Sequence, residues 1–182
     1  STVMSEGGYV ETGVEFGAFD GPITFSDAGG ATATQCVMAI RCKNTFKGIP
    51  NRTTVRITDI EVLSDSTNCR IELWRLPSNS NITGGTWVEA DVDSAVEYNV
   101  GVTTNFTTTG GDLRQATLIA ANNPSGQQAS ASVAFNPTTA RRSYIAQNID
   151  SDDSNIFAVI VRNLDTNTTT DVWNTIQWRE TR

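Results

Sequence analysis

The chain has 182 residues, a formal net charge of −7 and no histidine. Without an imidazole, Ser-His-Asp and Cys-His nucleophile systems and His-ligated metals are excluded. The balance of 13 Lys plus Arg against 20 Asp plus Glu has the wrong sign for gripping phosphate, so nucleic acid is not an expected partner.

Threonine makes up about one residue in seven, and Asn and Ser are also abundant. Thr suits strand faces and Asn suits turns, which points to an all-β protein. No apolar run approaches the roughly 18 residues of a membrane helix, so membrane insertion is not expected.

In chain order, residues 1–21 are Gly-rich and polar with scattered aromatics (Tyr9, Phe16, Phe19), and read as an extended N-terminal arm. Residues 22–182 read as the folded body. Residues 22–26 form a first short strand, closed by the turn signal of residues 27–30. In residues 36–46, Cys36, Met38, Ile40 and Cys42 alternate with Val37, Ala39, Arg41 and Lys43, so the first set is assigned to a buried face. Cys36 and Cys42 then share one face, some 20 Å apart and out of disulfide reach of each other. A bridge from one of them to Cys69 stays open by sequence, although all three cysteines read best as small buried hydrophobes.

Residues 52–63 form a long strand whose apolar phase switches from Val55 and Ile57 to Ile60 and Val62. The switch at Thr58-Asp59 points to a β-bulge or a change of covered face. In residues 69–76, Cys69, Ile71 and Leu73 oppose Arg70, Glu72 and Trp74, which places Trp74 off the core face. Further strands are expected at residues 86–89, 96–100, 102–107, 116–121, 130–135 and 143–148. Residues 156–161 are uninterruptedly apolar and predict a central strand covered on both faces. Residues 170–179 close the chain with Val172, Asn174, Ile176 and Trp178 in one phase. Trp173, five residues from Trp178, falls on the other face. About 8–10 antiparallel strands punctuated by Asn, Asp, Gly and Ser predict a β-sandwich or jelly roll.

Without histidine, paired carboxylates are the remaining acid–base option. Glu89, Asp91 and Asp93 form one acidic stretch; Asp150, Asp152 and Asp153 form another. A glycosidase needs two carboxylates facing each other at about 5–9.5 Å, whereas Asp also favours ordinary turns. The second stretch has hard oxygen ligands and is the weak calcium candidate, although it lacks the Gly and distal Glu of an EF-hand loop. Trp74, Trp87 and Tyr98 are candidate binding residues, because an aromatic body with one polar handle stacks on sugar rings or fills protein interfaces.

The phrases RCKNTFKGIPNRTTVRI (residues 41–57) and DIEVLSD (59–65), with NIFAVIVR (155–162) leading to IQWRE (176–180), resemble the β-sandwich domains of tailed-phage virion structural proteins, including those of cyanophages. The resemblance covers most of residues 36–180. It implies a non-enzymatic particle component in capsid, decoration, tail or baseplate. Its partners are then copies of itself and other virion proteins, and it is assembled in the host cytoplasm. No catalytic residue is carried over. A glycan- or receptor-binding module of a tail fibre is the alternative, with a host surface glycan as partner. A carboxylate glycosidase is the remote one.

Overall fold

The computed structural model describes residues 13–25, 33–65, 67–120, 129–133, 144–165 and 169–182. Its strands are β1 (Val14–Phe25), β2 (Thr34–Cys42), β3 (Thr45–Phe46), β4 (Ile49–Pro50), β5 (Thr54–Ser64), β6 (Cys69–Leu76), β7 (Thr86–Glu89), β8 (Val96–Val100), β9 (Asp112–Ile119), β10 (Ala129–Val133), β11 (Tyr144–Ile145), β12 (Ile156–Asn163) and β13 (Thr170–Thr181). The described residues contain no α-helix; a 3-10 turn spans Asn79–Asn81.

One sheet runs β1-β13-β5-β10, with β11 also on β5; the other runs β7-β8-β2-β12-β6-β9. With the short β3, β4 and β11 and the β7-β8 hairpin set aside, eight strands remain. In chain order the first pairs the last (β1 with β13), the second the seventh (β2 with β12), the third the sixth (β5 with β10), and the fourth the fifth (β6 with β9). All four pairings are antiparallel. That is one long hairpin folded over on itself, the strand order of a jelly roll. β7 and β8 form an insertion between the fourth and fifth strands that widens the second sheet beside β2.

The facing sides of the sheets are apolar because the alternation of each strand sends one residue set inward. Trp178, Phe157, Met38, Ile40, Ile57, Ile60, Ile71 and Leu73 are fully buried there. Trp178 stacks on Phe16, with ring centroids 6.5 Å apart. β12 is buried on both faces along six consecutive residues. The phase switch in β5 is a bulge at Thr58: Gln177 lies opposite Asp59 while Trp178 lies opposite Ile57. Trp178 joins the core and Trp173 does not.

Four expectations need adjustment. Residues 14–21, assigned by sequence to the arm, belong to β1, with Val14–Asp20 paired to Asn174–Glu180. Alternation of Phe16 and Ala18 toward the core supplies the reason; residues 1–12 lie outside the described residues. Cys36 and Cys42 lie on opposite faces of β2. A second bulge puts Val159 opposite Met38 and Ile160 opposite Cys36, so Val37 is the extra residue and the phase inverts. All three thiols are free and buried. Residues 102–107 form no strand, only bridge pairs of Thr103 with Cys36 and Phe106 with Ile82, because this segment lies over the outer face of the sheet. Finally, the expected strand over residues 36–46 breaks after Cys42.

Candidate functional site: the outer face of the six-stranded sheet

Pairing registers place Trp87, Asn99, Ala39, Ala158, Trp74 and Leu113 in one row across β7, β8, β2, β12, β6 and β9. Residues opposite one another in a sheet point to the same side, so this row lies on the outer face. The two tryptophans stand four strand spacings apart, roughly 19 Å. Between them the floor is made of small side chains, Ala39 and Ala158, flanked by Ile156, Ile160 and Cys36. A low floor between tall aromatic walls is a trough.

The chain fills this trough itself. Val102 and Ile82 are buried against the floor, and Phe106 packs beside them. The backbone is held by Cys36 N–H donating to Thr103 O (2.9 Å), Thr83 N–H to Asn105 O (3.0 Å) and Thr107 N–H to Asn81 O (2.8 Å). Asn81 is buried, and its amide donates to Thr107 O at 2.9 Å and Thr109 O at 3.0 Å. Apolar side chains cover the alanines, and side-chain amides satisfy carbonyls that water would otherwise reach. Gly85 is required beneath this cover: its φ is +73°, and a Cβ there would meet Asn99 Oδ1 at 2.0 Å.

Each tryptophan wall is tied to an Arg–Glu pair. The Arg41 guanidinium lies 4.0 Å from the Trp87 ring centroid, and its Nε is 2.6 Å from Glu97 Oε1. The guanidinium over the ring is a cation–π contact. Trp74 Nε1 donates to Glu72 Oε2 at 2.9 Å. Arg70 Nε lies 3.0 Å from Glu72 Oε1, near enough for an ion pair but not aligned as a hydrogen bond. Both tryptophans are half-buried. Tyr98 is separate: it packs on the inner cluster, opposite Ile40 and Val88. The three aromatic candidates therefore do not form one platform. Arg41, Glu97 and Glu72 are contributors that composition alone does not mark; their place follows only from strand register.

The acidic stretches lie on separate connections. Glu89 pairs with Lys43, Asp93 lies 3.5 Å from Lys47, and Asp91 accepts from Asp93 N–H at 2.8 Å. Asp152 accepts from Asn148 at 2.7 Å, and Asp153 accepts from Asn79 N–H at 2.7 Å. Asp150 is exposed. Among the described residues, no three Asp, Glu, Cys or His side chains converge well enough to hold a metal ion, and Asp150, Asp152 and Asp153 do not form such a group.

One carboxylate is buried outright. Glu180 is fully covered and accepts from Ser94 Oγ (2.5 Å), Ala95 N–H (2.9 Å) and Trp178 Nε1 (3.1 Å), with Arg182 at 3.2 Å. It ties β13 of one sheet to the turn that leads into β8 of the other. Burial pushes the Cys36 and Cys42 thiols up to about 12, which holds both neutral and unreactive.

No protein-family model matches the chain, and no characterised protein sequence does. Among solved structures, it is similar to the decameric BFDV capsid protein at 11% identity and a TM-score of 0.29, covering 93% of this chain and 98% of that one. It is also similar to a chain of infectious bursal disease virus, Gt strain, at 11% identity and a TM-score of 0.27, covering 94% of this chain and 42% of that one.

Proposed function

We propose that the chain is a non-enzymatic structural subunit of a virus particle, acting through contacts with copies of itself and with other particle proteins. Jelly rolls serve capsids, lectins and enzymes alike, so the fold does not choose among them. The observation that carries the reading is an apolar end of the sandwich. The β3-β4 hairpin, the β7-β8 turn and the connection from β11 to β12 meet at the Cys42 end of β2. They are locked by Lys43 N–H to Ala95 O (2.9 Å), Asn51 Nδ2 to Ala95 O (2.9 Å), Gln147 Nε2 to Cys42 O (2.6 Å) and Arg52 Nη2 to Ile149 O (2.8 Å). On this braced platform the tips present Ile49, Val92 and Ile149, exposed by 65%, 77% and 83%. Several bare apolar tips on a well-bonded base are what a subunit contact covers.

Light scattering tests the reading. The wild-type chain is expected to run as a multimer, and the triple variant Ile49→Ser, Val92→Ser, Ile149→Ser as a folded species of lower mass with unchanged circular dichroism. A wild-type chain that stays monomeric at all concentrations and binds on a glycan array overturns it in favour of a receptor-binding module built around Trp87. The finer placement in a tailed-phage particle is supported by the phrases at residues 41–57, 59–65 and 155–162. Detection of the chain in purified tailed-phage particles by mass spectrometry tests that placement.

A further inference from the structure

The six-stranded sheet ends at β9, which pairs with β6 on one side and with no described strand on the other. Alternate residues of such an edge present both N–H and C=O outward. Natural edges are blunted by brevity, Pro, Lys or bulges. β7 has only four residues, β1 carries Gly21-Pro22 and a bulge between Asp20 and Ile23, and the far side of the other sheet is divided between β10 and β11. β9 has its own bulge at Arg114, and beyond it the stretch Gln115-Ala-Thr-Leu-Ile119 has no charge, Pro or Gly. Ile119 enters the core, while Ala116 and Leu118 are exposed on the outer side, Leu118 by 68%.

On the neighbouring β6, Arg70 stands beside Leu118 and Glu72 beside Ala116. We infer that the β9 edge is a pairing surface for the β9 of a second copy, antiparallel about a two-fold axis at Thr117, which joins two six-stranded sheets into one of twelve strands. This deepens the assembly reading above and rests on it. In this register Leu118 of each copy lies opposite Ala116 of the other, large against small. Each row across the junction then reads Arg70, Leu118, Ala116 of the partner subunit, Glu72 of the partner subunit, so the flanking charges are opposite. Moving the axis to Leu118 sets Leu118 against Leu118 and Ala116 against Ala120, large against large and small against small, which loses that fit. An isologous contact of this kind closes a dimer and removes both edges at once.

The test uses the full chain and two exposed substitutions, Ala116→Cys and Leu118→Cys. Cα atoms directly opposite in an antiparallel pair are about 4.5–5.5 Å apart, within disulfide range, whereas diagonal neighbours are about 7–8 Å apart and outside it. The native cysteines are buried and do not compete. On mild oxidation, the mixture of the two variants is expected to give a disulfide-linked dimer carrying one chain of each kind, and each variant alone to stay largely unlinked. Leu118→Lys added to the Ala116→Cys chain is expected to abolish linkage. A wild-type chain that is multimeric by light scattering, with a mixture that fails to crosslink, overturns the edge pairing and leaves the assembly reading standing. Equal linkage of either variant alone overturns the register. A wild-type monomer at every concentration, with no linkage in the mixture, overturns both.

Discussion

Glu180 holds the two sheets together near the end of the chain, and replacing it tests how the sandwich is closed. Glu180→Ala removes the acceptor for Ser94 Oγ, Ala95 N–H and Trp178 Nε1, all buried donors. The Ser94 hydroxyl can turn elsewhere, but the Ala95 amide and the Trp178 indole N–H are fixed. Each stranded donor costs about 1–3 kcal/mol. With the added cavity, the loss is about 3–5 kcal/mol, a large share of the stability of a domain this size. Glu180→Gln keeps the volume and one carbonyl oxygen but turns an NH2 toward donors that need an acceptor, for a loss of about 1–3 kcal/mol. Arg182→Ala leaves Glu180 its three donors but takes the cation from beside a fully buried carboxylate, and should cost about 1–3 kcal/mol. Urea unfolding followed by tryptophan fluorescence and by circular dichroism reads all three. Losses below about 1 kcal/mol for both Glu180 variants would refute the claim that this carboxylate clamps the sheets.

Gly85→Ala should lose about 1–3 kcal/mol, because a Cβ meets Asn99 Oδ1 and Val100 O at a backbone conformation that favours glycine; thermal unfolding measures it. Ala39→Leu raises the floor of the trough and should cost about 1–3 kcal/mol while loosening residues 101–107, read as faster proteolytic cleavage in that segment. The Cys36 and Cys42 thiols, raised by burial to about 12 from an ordinary 9.0, keep their protons in the folded state after the unfolded chain has lost them. Their contribution to stability is therefore complete below about pH 9 and falls as pH rises toward about 12. Urea midpoints across that range should show a shallower decline in Cys36→Ala than in the wild type.

Much of the fold is legible in the amino-acid sequence because its strands have unequal faces. Cys69, Ile71 and Leu73 against Arg70, Glu72 and Trp74 put Trp74 on the outside, where it stands. The apolar run over residues 156–161 announces a central strand, and β12 lies between β2 and β6. β1 is less visible. Gly17 and Gly21 dilute its pattern, and its inward pair Phe16 and Ala18 gains meaning only once Trp178 is opposite Phe16. The candidate site is harder still. Trp87 and Trp74 form the two walls of one trough only through four successive registers, none of which local propensity determines. The segment that fills it, residues 102–107, has strand-like composition but is used as a cover.

The two inner bulges show where the limit lies. At Thr58 the extra residue is readable because β5 has a polar and an apolar face, and a slip of one residue shows as a change of phase. At Val37 it is invisible: β2 is buried on both sides over Gln35–Ile40, so a slip exchanges one apolar residue for another. The error about Cys36 follows from that alone, since the thiol moves from the inner core to the trough floor with no change in polarity. A strand covered on both faces hides its own register. The center of this sheet, where β2 and β12 carry the trough floor, is thus the part that sequence periodicity is least able to place. Its position is set instead by the partners on either side, Asn99 of β8 and Trp74 of β6, which lie opposite Ala39 and Ala158.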